Sequence, residues 1–523
     1  MAGTVTANLT TISLCEATTG WTATGGTNAL NDPTVFDAKQ GSYCLQNYSA
    51  SAVNRGSDYD FGVNTDLSDT VLYTWFAFSK VPHATNYMRI RVTDAAGNWG
   101  EWNIFNKAAL PHLSWICWAV KTTVTFDATG GTNPTMTQIR KVGWRMDAVV
   151  AKVYIYWDAW RYGTGLSIKG GTSGSPAVLE DFYTADSDSN NAYGVIEKYN
   201  GVYFVQGKII IGSTTAGDST YFQDKNQSVV FKSIKGNPTG FYDIKGQGNS
   251  TGTTKIFFGE KAGGAGISGL FINAPSAMKW KLTMSDTYIT EFGFYGCSFQ
   301  NADTIQGQTY STLKEFLNTS FTAGAEMLPD TGIVKNCTFI SAPGRAIRMS
   351  STSHHITDCN FINCVYGVHV PLSDSITFDD LKFAGSDGST KWDIEHSVSG
   401  TLTVNCTNGS NPQYVKESGG GSTQINNAVY LNVYVKDRSN SPISYAQSAI
   451  YKVSDDTQLM NKDSDTNGLA QESFNYPGSD VPIYWRVRKS SEGATRYTPA
   501  GGTGTITSAG FSVTVTLYEE PLA

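Results

Sequence analysis

Cys297-Ser298-Phe299, Cys337-Thr338-Phe339, Cys359-Asn360-Phe361 and Leu381-Lys382-Phe383 are four versions of one triplet. With Phe321 added, the aromatics Phe299, Phe321, Phe339, Phe361 and Phe383 recur at intervals of 22, 18, 22 and 22 residues. Each triplet runs apolar, polar, aromatic, so in extended chain its outer side chains share one face and the middle one takes the other. A near-constant period, one short strand per period and polar or glycine-rich corners predict a right-handed parallel β-helix over residues 236–425, clearest at 288–407. One such coil cannot bury its inward face alone; stacked coils can, with Cys on Cys and Phe on Phe. Runs at 228–231, 256–258 and 270–272 fit further coils less regularly.

Upstream, residues 1–165 hold nine of the twelve tryptophans: Trp21, Trp75, Trp99, Trp102, Trp115, Trp118, Trp144, Trp157 and Trp160. Alternating runs at 70–78, 88–93, 114–120 and 152–159, separated by Gly, Asn and Asp turns, predict a jelly-roll sandwich. Its closing run, 153–162, resembles the last strand of concanavalin-like and galactose-binding-like carbohydrate modules. Such modules keep Trp and Tyr faces exposed to stack on sugar rings, whereas sandwich interiors also fill with aromatics. Trp99 and Trp102, beside a Gly-Asn turn, are the candidate exposed pair. Residues 166–235 read as a connecting β region, with a linker at 170–176 and a polar loop at 186–191. Strict alternation at 429–435, 483–488 and 511–517 predicts a C-terminal immunoglobulin-like sandwich over 426–523, set off by the glycines at 419–421.

The bulk properties agree with an all-β chain of several domains. At 523 residues it exceeds one ordinary domain. Helical periodicity is nearly absent, and only 312–317 reads as a helical turn or two. A formal charge of −7 without a basic stripe argues against nucleic-acid binding. No apolar run is long enough to insert in a membrane, and residues 1–4 show neither the basic nor the apolar region of a signal peptide. Eight cysteines with no CxxC pair read as reduced, buried small hydrophobes.

Chemistry-bearing motifs are weak. Gly264-Ala265-Gly266-Ile267-Ser268-Gly269 matches a dinucleotide fingerprint by letter, but a strand pattern follows where the phosphate-binding helix should start. It reads as turn glycines at a coil corner, and no cofactor is expected. Asp463, Asp465 and Asn467 match the first half of an EF-hand loop, but the twelfth position is Phe474 and no helix flanks it. A hairpin turn is expected there, with a weak metal site as the alternative. Asp358 and Asp380 lie one period apart, with Asn336 one period earlier. Stacked on adjacent coils, the two acids would sit roughly 5 Å apart, a spacing suited to acid–base hydrolysis of polysaccharide. The competing reading is a ladder of Asx corners, which explains Asn336 as well. His354, His355, His369, Arg345 and Arg348 are near in sequence, yet no Ser/His/acid or Cys/His constellation stands out.

Several stretches resemble virion structural proteins of tailed bacteriophages. They are Leu9-Thr10-Thr11-Ile12-Ser13 with Glu16-Ala17-Thr18-Thr19-Gly20-Trp21, then Gln40-Gly41-Ser42 and Tyr203-Phe204-Val205-Gln206-Gly207. Ala449-Ile450-Tyr451, Asp455-Asp456-Thr457, Phe474-Asn475-Tyr476-Pro477-Gly478 and Arg486-Val487-Arg488-Lys489-Ser490-Ser491 are similar to the immunoglobulin-like or carboxypeptidase-regulatory-like tails of such proteins. The resemblance implies a non-enzymatic protein on the virion surface, as a head or tail fibre, spike or capsid decoration assembled in the host cytoplasm. It further implies capsid or tail proteins as partners, a homo-oligomer with a trimer first, and host-surface polysaccharide as the contact for host attachment. It transfers no catalytic residue. Two other classes remain open on the residues themselves: a tail-spike depolymerase using Asp358 and Asp380, and a secreted glycan-binding adhesin.

Overall fold

Tyr154–Gly170 is the strand on which the antiparallel and parallel parts of the N-terminal unit meet. Its first part pairs antiparallel with Leu45–Tyr48 and with Val71–Phe78, and a longer stretch pairs antiparallel with Gly3–Ser13. From Gly165 it pairs in parallel with Lys208–Ile211. It therefore runs unbroken through residues 165 and 166. The computed structural model describes residues 2–82, 86–105, 114–187, 193–232, 243–262, 265–274, 280–284, 286–306, 313–329, 332–476, 480–490, 495–507 and 509–520. Over these the chain is all-β apart from the helix Leu179–Ser187 and a short 3-10 turn. It divides into two compact units, Met1–Lys314 and Glu315–Ala523.

In the first unit, a second antiparallel sheet runs in the order Ala128–Gly130, Trp99–Phe105, Met88–Asp94, Ile139–Val149, Val53–Thr65 and Trp21–Thr24. Its inner face and that of the first sheet enclose a core rich in tryptophan, with Trp21, Trp102, Trp144, Trp157 and Trp160 buried together. Val71–Phe78 is buried at all eight positions. Leu72, Phe76 and Phe78 enter the core, while Trp75 on the opposite face lies under the Lys39 ammonium at 4.1 Å. Cover on both faces is why this strand reads as a continuous apolar run instead of an alternating one. Beyond it, Val202–Val205, Ser228–Phe231 and Phe271–Asn273 stack in parallel, as do Lys208–Ile211, Asp243–Gly246 and Trp280–Thr283.

The second unit shows the same kind of parallel stacking within its own residues. Ser320–Thr322, Thr338–Ile340, Asn360–Ile362 and Lys382–Ala384 pair in parallel with Phe opposite Phe in every step. The rings stack nearly face on: Phe321 to Phe339 at 4.8 Å, Phe339 to Phe361 at 5.0 Å and Phe361 to Phe383 at 5.0 Å. Two further parallel ladders flank this one. The first steps through Ile333–Lys335, His355–Thr357 and Ser375–Asp379; the second steps through Arg345–Arg348, Tyr366–Val370 and Trp392–His396. Each Phe-bearing strand is bounded by residues of positive φ, as in Asn336 (52°) and Ser341 (52°), or Asp358 (55°) and Asn363 (55°). These left-handed residues turn the chain at both ends of each strand, and Asn and Asp tolerate that conformation best after glycine. All eight cysteines are free and buried. Burial pushes the Cys297 and Cys406 thiols up to about 12, so they pack as neutral hydrophobes.

Ser422–Lys436 is the corresponding shared strand of the second unit. Its start pairs in parallel with Thr401–Thr407, and its end pairs with Leu469–Tyr476 and Phe511–Thr516. Val429, Leu431, Val433 and Val435 point into a core shared with a second sheet of order Gln458–Asp463, Gln447–Lys452, Val481–Lys489 and Tyr497–Ile506. This strand too runs unbroken, through residues 425 and 426.

Several expectations are corrected. Residues 313–317 are not helical: Leu313–Leu317 is a strand, whose Glu315, Phe316 and Leu317 pair with Ile333, Val334 and Lys335. Good helix formers are overridden there by the ladder's register; Thr312 lies outside the described residues. The polar loop expected from 186 begins inside the helix Leu179–Ser187, where buried Asp186 accepts the Gly194 and Ile196 amides at 2.7 Å each. Residues 188–191 lie outside the described set. Gly266 belongs to a short antiparallel hairpin, Glu260–Ala262 with Ala265–Ile267, and not to a coil corner; Gly264 is outside the described residues. The expected linkers are bonded turns: Thr172 and Ser175 exchange backbone hydrogen bonds. Gly419 and Gly421 pack so closely on Ser397, Val398 and His396 that a Cβ on either would collide.

Two measurements follow from this packing. Phe361→Ala empties the middle of a ring stack and should cost about 3–5 kcal/mol in denaturant unfolding. Asp158 is buried while accepting the Lys39 and Gln40 amides at 2.9 Å each. Burial, outweighing those hydrogen bonds, pushes its carboxyl from 3.8 up to about 8. The folded chain thus holds a proton that the unfolded chain releases between those two values, so this stabilisation is full below the lower one and is lost as pH rises through about 8. Asp186, raised to about 7 by burial, acts in the same direction. Thermal unfolding followed from pH 4 to 9 should show a falling melting temperature, and Asp158→Asn should flatten that fall.

Candidate functional site

The strand Trp99–Phe105 carries both tryptophans expected to form an exposed pair, and the structure separates them. They are three residues apart, an odd spacing that sends them to opposite faces of the sheet. Trp102 is fully buried in the core, its indole N–H donating to the Val124 carbonyl at 2.9 Å. Trp99 is half-buried, with the Arg91 guanidinium 4.1 Å over its ring and Gly130 against its edge. None of the nine tryptophans before residue 165 is exposed. The aromatic richness of this region builds its core.

Asp358 and Asp380 occupy equivalent corners with φ of 55° and 53°. Their amides donate to the next rung, Asp358 to the Asp379 carbonyl at 3.1 Å and Asp380 to the Thr407 carbonyl at 3.2 Å. Asn336 does the same with Thr357, and its side-chain amide donates to the Asn318 side chain at 2.7 Å. These corner amides are therefore capped by backbone carbonyls, and the Asn336 side chain meets the Asn318 side chain, not its backbone. Each carboxylate faces a lysine instead, Lys335 at 3.4 Å from Asp358 and Lys382 at 2.7 Å from Asp380. These side chains are more than a third exposed, so each ion pair is worth about 0–1 kcal/mol. Asp463 ends the strand Gln458–Asp463, and Asp465 with Asn467 forms the hairpin after it. The Asp465 carboxylate accepts the Asn467 and Leu469 amides at 2.8 and 2.9 Å, a turn that uses the carboxylate locally.

What the sequence did not reveal is a groove of about 660 Å³ on the outer face of the C-terminal four-stranded sheet. Ile450, Ile483 and Val487 point to the core, so their neighbours Ala449, Tyr451, Arg486 and Arg488 line the outer face. Ala449 and Gly501 lie on either side of Arg486 across the sheet and leave the floor low. Around it stand Tyr451, stacked on Tyr484 at 5.1 Å, and the amides of Gln447 and Asn461 joined at 3.0 Å. Arg488 donates to the Gln447 side-chain oxygen at 2.8 Å, and the Arg486 guanidinium lies 5.4 Å from the Tyr484 ring. Among the described residues neither arginine has a carboxylate within ion-pair distance. A second groove, of about 510 Å³, contains Lys382, but that ammonium already donates to Gly409 and binds Asp380. The first groove therefore offers planar hydrogen-bonding groups, ring faces and two uncompensated positive charges together. The alternation at 483–488 was the available signal; only the pairing shows which residues share a face.

A third cluster lies on the ladder formed by Arg345–Arg348, Tyr366–Val370 and Trp392–His396. His369, recognised from sequence only as a neighbour of Asp358, contacts Glu326 and Ser397 instead. Arg348 binds the same glutamate, with its Nε and Nη2 at 3.2 and 2.9 Å from the two oxygens. Burial pushes Glu326 up, but hydrogen bonds from His369 and Arg348 and the Arg348 charge outweigh it and hold the carboxyl below its ordinary value. One rung on, Arg345 grips Glu395 at 2.5 and 3.1 Å. Arg348 and His369 are 21 residues apart, close to one period, which is the one sequence signal for this row.

No family model and no curated protein matches the chain. Among solved structures, parts of it are similar to a family 11 carbohydrate-binding module from Clostridium thermocellum in complex with a β-1,3-1,4-mixed-linked tetrasaccharide. That match is 8% identical over 29% of this chain and 94% of the module, with a TM-score of 0.23. TmCBM61 in complex with β-1,4-galactotriose is 12% identical over 28% of this chain and 88% of its own, with a TM-score of 0.20. An exo-β-agarase is 10% identical over 29% of this chain, with a TM-score of 0.22, and the match spans 24% of the agarase. TM-scores this low carry no argument for fold or function.

The corner geometry yields a test at Asp358. Asp358→Asn should change unfolding stability by less than about 0.5 kcal/mol, since Asn tolerates the left-handed conformation as well as Asp does. Asp358→Val, β-branched at positive φ, should cost about 1–2 kcal/mol.

Proposed function

We propose that this chain is a surface-displayed binding protein for acidic polysaccharide, and that the groove floored by Ala449 and Gly501 is its glycan site. The observation that carries this reading is the pair Arg486 and Arg488. In a chain of formal charge −7, two guanidinium groups without carboxylate partners among the described residues flank a groove edged by Tyr451 and by side-chain amides. Guanidinium groups match carboxylates in a bidentate fork, and amides match sugar hydroxyls. An open groove on a sheet face accepts a chain that enters and leaves, which suits a polymer better than an enclosed pocket would.

The three stacked ladders support a parallel β-helix in which each rung is one coil, with a jelly-roll-type sandwich before it and an immunoglobulin-like sandwich after it. Such a coil, hydrogen-bonded along its length, resists proteolysis. The resemblance at residues 9–21 and 449–491 supports display on the virion of a tailed phage, on head or tail, with other virion proteins as partners. A depolymerase acting through Asp358 and Asp380 is less well supported, because both acids are corner residues engaged by lysines.

Binding of the full chain to polygalacturonate and to uncharged dextran, measured by calorimetry, tests the site. Polygalacturonate should bind and dextran should not. Arg486→Ala with Arg488→Ala should weaken binding by about tenfold or more, the effect of losing charged hydrogen bonds worth about 1.5–3 kcal/mol each. Equal affinity for the two polymers, or an unaffected double variant, would remove the groove as the site. Mass spectrometry of purified particles separately tests the virion setting.

A further inference from the structure

Ser397, His369 and Glu326 come together from positions 28 and 43 residues apart. Ser397 follows the strand Trp392–His396, His369 lies in Tyr366–Val370, and Glu326 precedes Met327–Leu328; these strands belong to one parallel ladder through Arg345–Arg348. The His369 Nδ1 lies 2.5 Å from Glu326 Oε1, and its Nε2 lies 2.8 Å from the Ser397 hydroxyl. An ionised carboxylate only accepts, so Nδ1 carries a proton, and in the neutral ring the Nε2 lone pair faces the hydroxyl. Glu326 is itself fixed by both ends of the Arg348 fork. His369 is buried, whereas Ser397 is half-buried and followed by exposed Ser399 and Gly400.

One further feature sets this hydroxyl apart from an ordinary hydrogen-bonded serine. The Val398 amide, next in the chain, meets no acceptor among the described residues. Gly419 lies against it: a Cβ at 419 would come within 2.3 Å of the Val398 nitrogen. Gly419 is packed against the Ser397–Val398 peptide, a closeness that only glycine allows. A free backbone N–H directly after the nucleophile is where an oxyanion donor is needed in acyl transfer.

We propose that Ser397 is a nucleophile for hydrolysis of short-chain carboxylic esters, with His369 as general base and acid and Glu326 as the residue positioning it. The Ser397 oxygen bonds to the acyl carbon while its proton passes to His369 Nε2, and the Val398 amide is the proposed donor to the resulting oxyanion. The intermediate collapses, the ester C–O bond breaks, and the leaving alkoxide takes the proton from Nε2 and departs as the alcohol. Water then adds to the acyl-serine, giving a proton to Nε2; the carboxylic acid leaves and the serine regains its proton. The neighbouring row of Arg345, Glu395 and Ser418 is polar, with the two other side chains hydrogen-bonded to Glu395. That favours acetyl-sized groups on a hydrophilic alcohol. The site is separate from the glycan groove and stands without it. It also departs from the sequence reading, in which no Ser/His/acid set stood out and no enzyme was expected.

The test uses the full chain. A fluorophosphonate should label it once, and peptide mapping should place the label on Ser397. p-Nitrophenyl acetate should be hydrolysed faster than p-nitrophenyl octanoate. Ser397→Ala should abolish labelling, and His369→Asn should slow it at least about 100-fold. Glu326→Gln, acting through His369, should lower kcat with KM kept. Mapping on the unaltered chain needs no variant to fold. Absence of label on Ser397, or an equal labelling rate in a folded His369→Asn variant, would overturn the proposal and leave the three residues as a structural hydrogen-bond network.

Discussion

In-register parallel pairing is the constraint on which the rest depends. Each short strand satisfies its backbone groups only through the rung before and the rung after it. An inward side chain must therefore match the size of its counterpart one period away. Phe321, Phe339, Phe361 and Phe383 meet that demand by stacking at 4.8–5.0 Å, close to the spacing between paired strands. The corners meet it with left-handed residues at the same place in each turn. Once the register is set, outward positions are free to carry chemistry, and residues one or two periods apart become neighbours.

That freedom is used differently at different corners and faces. At Asp358 and Asp380 the outward groups end in ion pairs with lysines, a surface arrangement with little energy in it. On the neighbouring ladder, successive rungs instead bring Glu326, Arg348, His369 and Ser397 into one connected row, with each contact charge-assisted or directed by a tautomer. Partial burial makes that row more consequential than the exposed pairs, since unpaired polar groups are costly there. The C-terminal sheet uses alternation in the same way: core residues on one face fix the backbone, and the opposite face is left to Tyr451, Arg486 and Arg488.

The two shared strands show how the architectures are joined. Tyr154–Gly170 and Ser422–Lys436 each take both antiparallel and parallel partners, with the two kinds overlapping at 165–168 and 431–434. A strand that changes partners without a break passes its register directly from sandwich to ladder. Glycine-rich stretches beside them, read from sequence as linkers, are close backbone approaches such as Gly419 on Ser397 and Gly421 on His396.

The sequence by itself determined the all-β class, the period of the Phe stack and the alternation of the C-terminal strands, because a repeat or a two-residue period is a local property of the chain. It also placed Asp358 and Asp380 in equivalent positions one period apart. It left Leu313–Leu317 misread as helix, since local propensity cannot register a strand partner 18 residues away. The faces of Trp99 and Trp102, the partners of His369 and the open guanidinium groups of Arg486 and Arg488 were decided only by tertiary structure. Which side of a sheet is covered, and which rung lies next to which, depends on contacts between residues tens to hundreds of positions apart, and no local pattern encodes those.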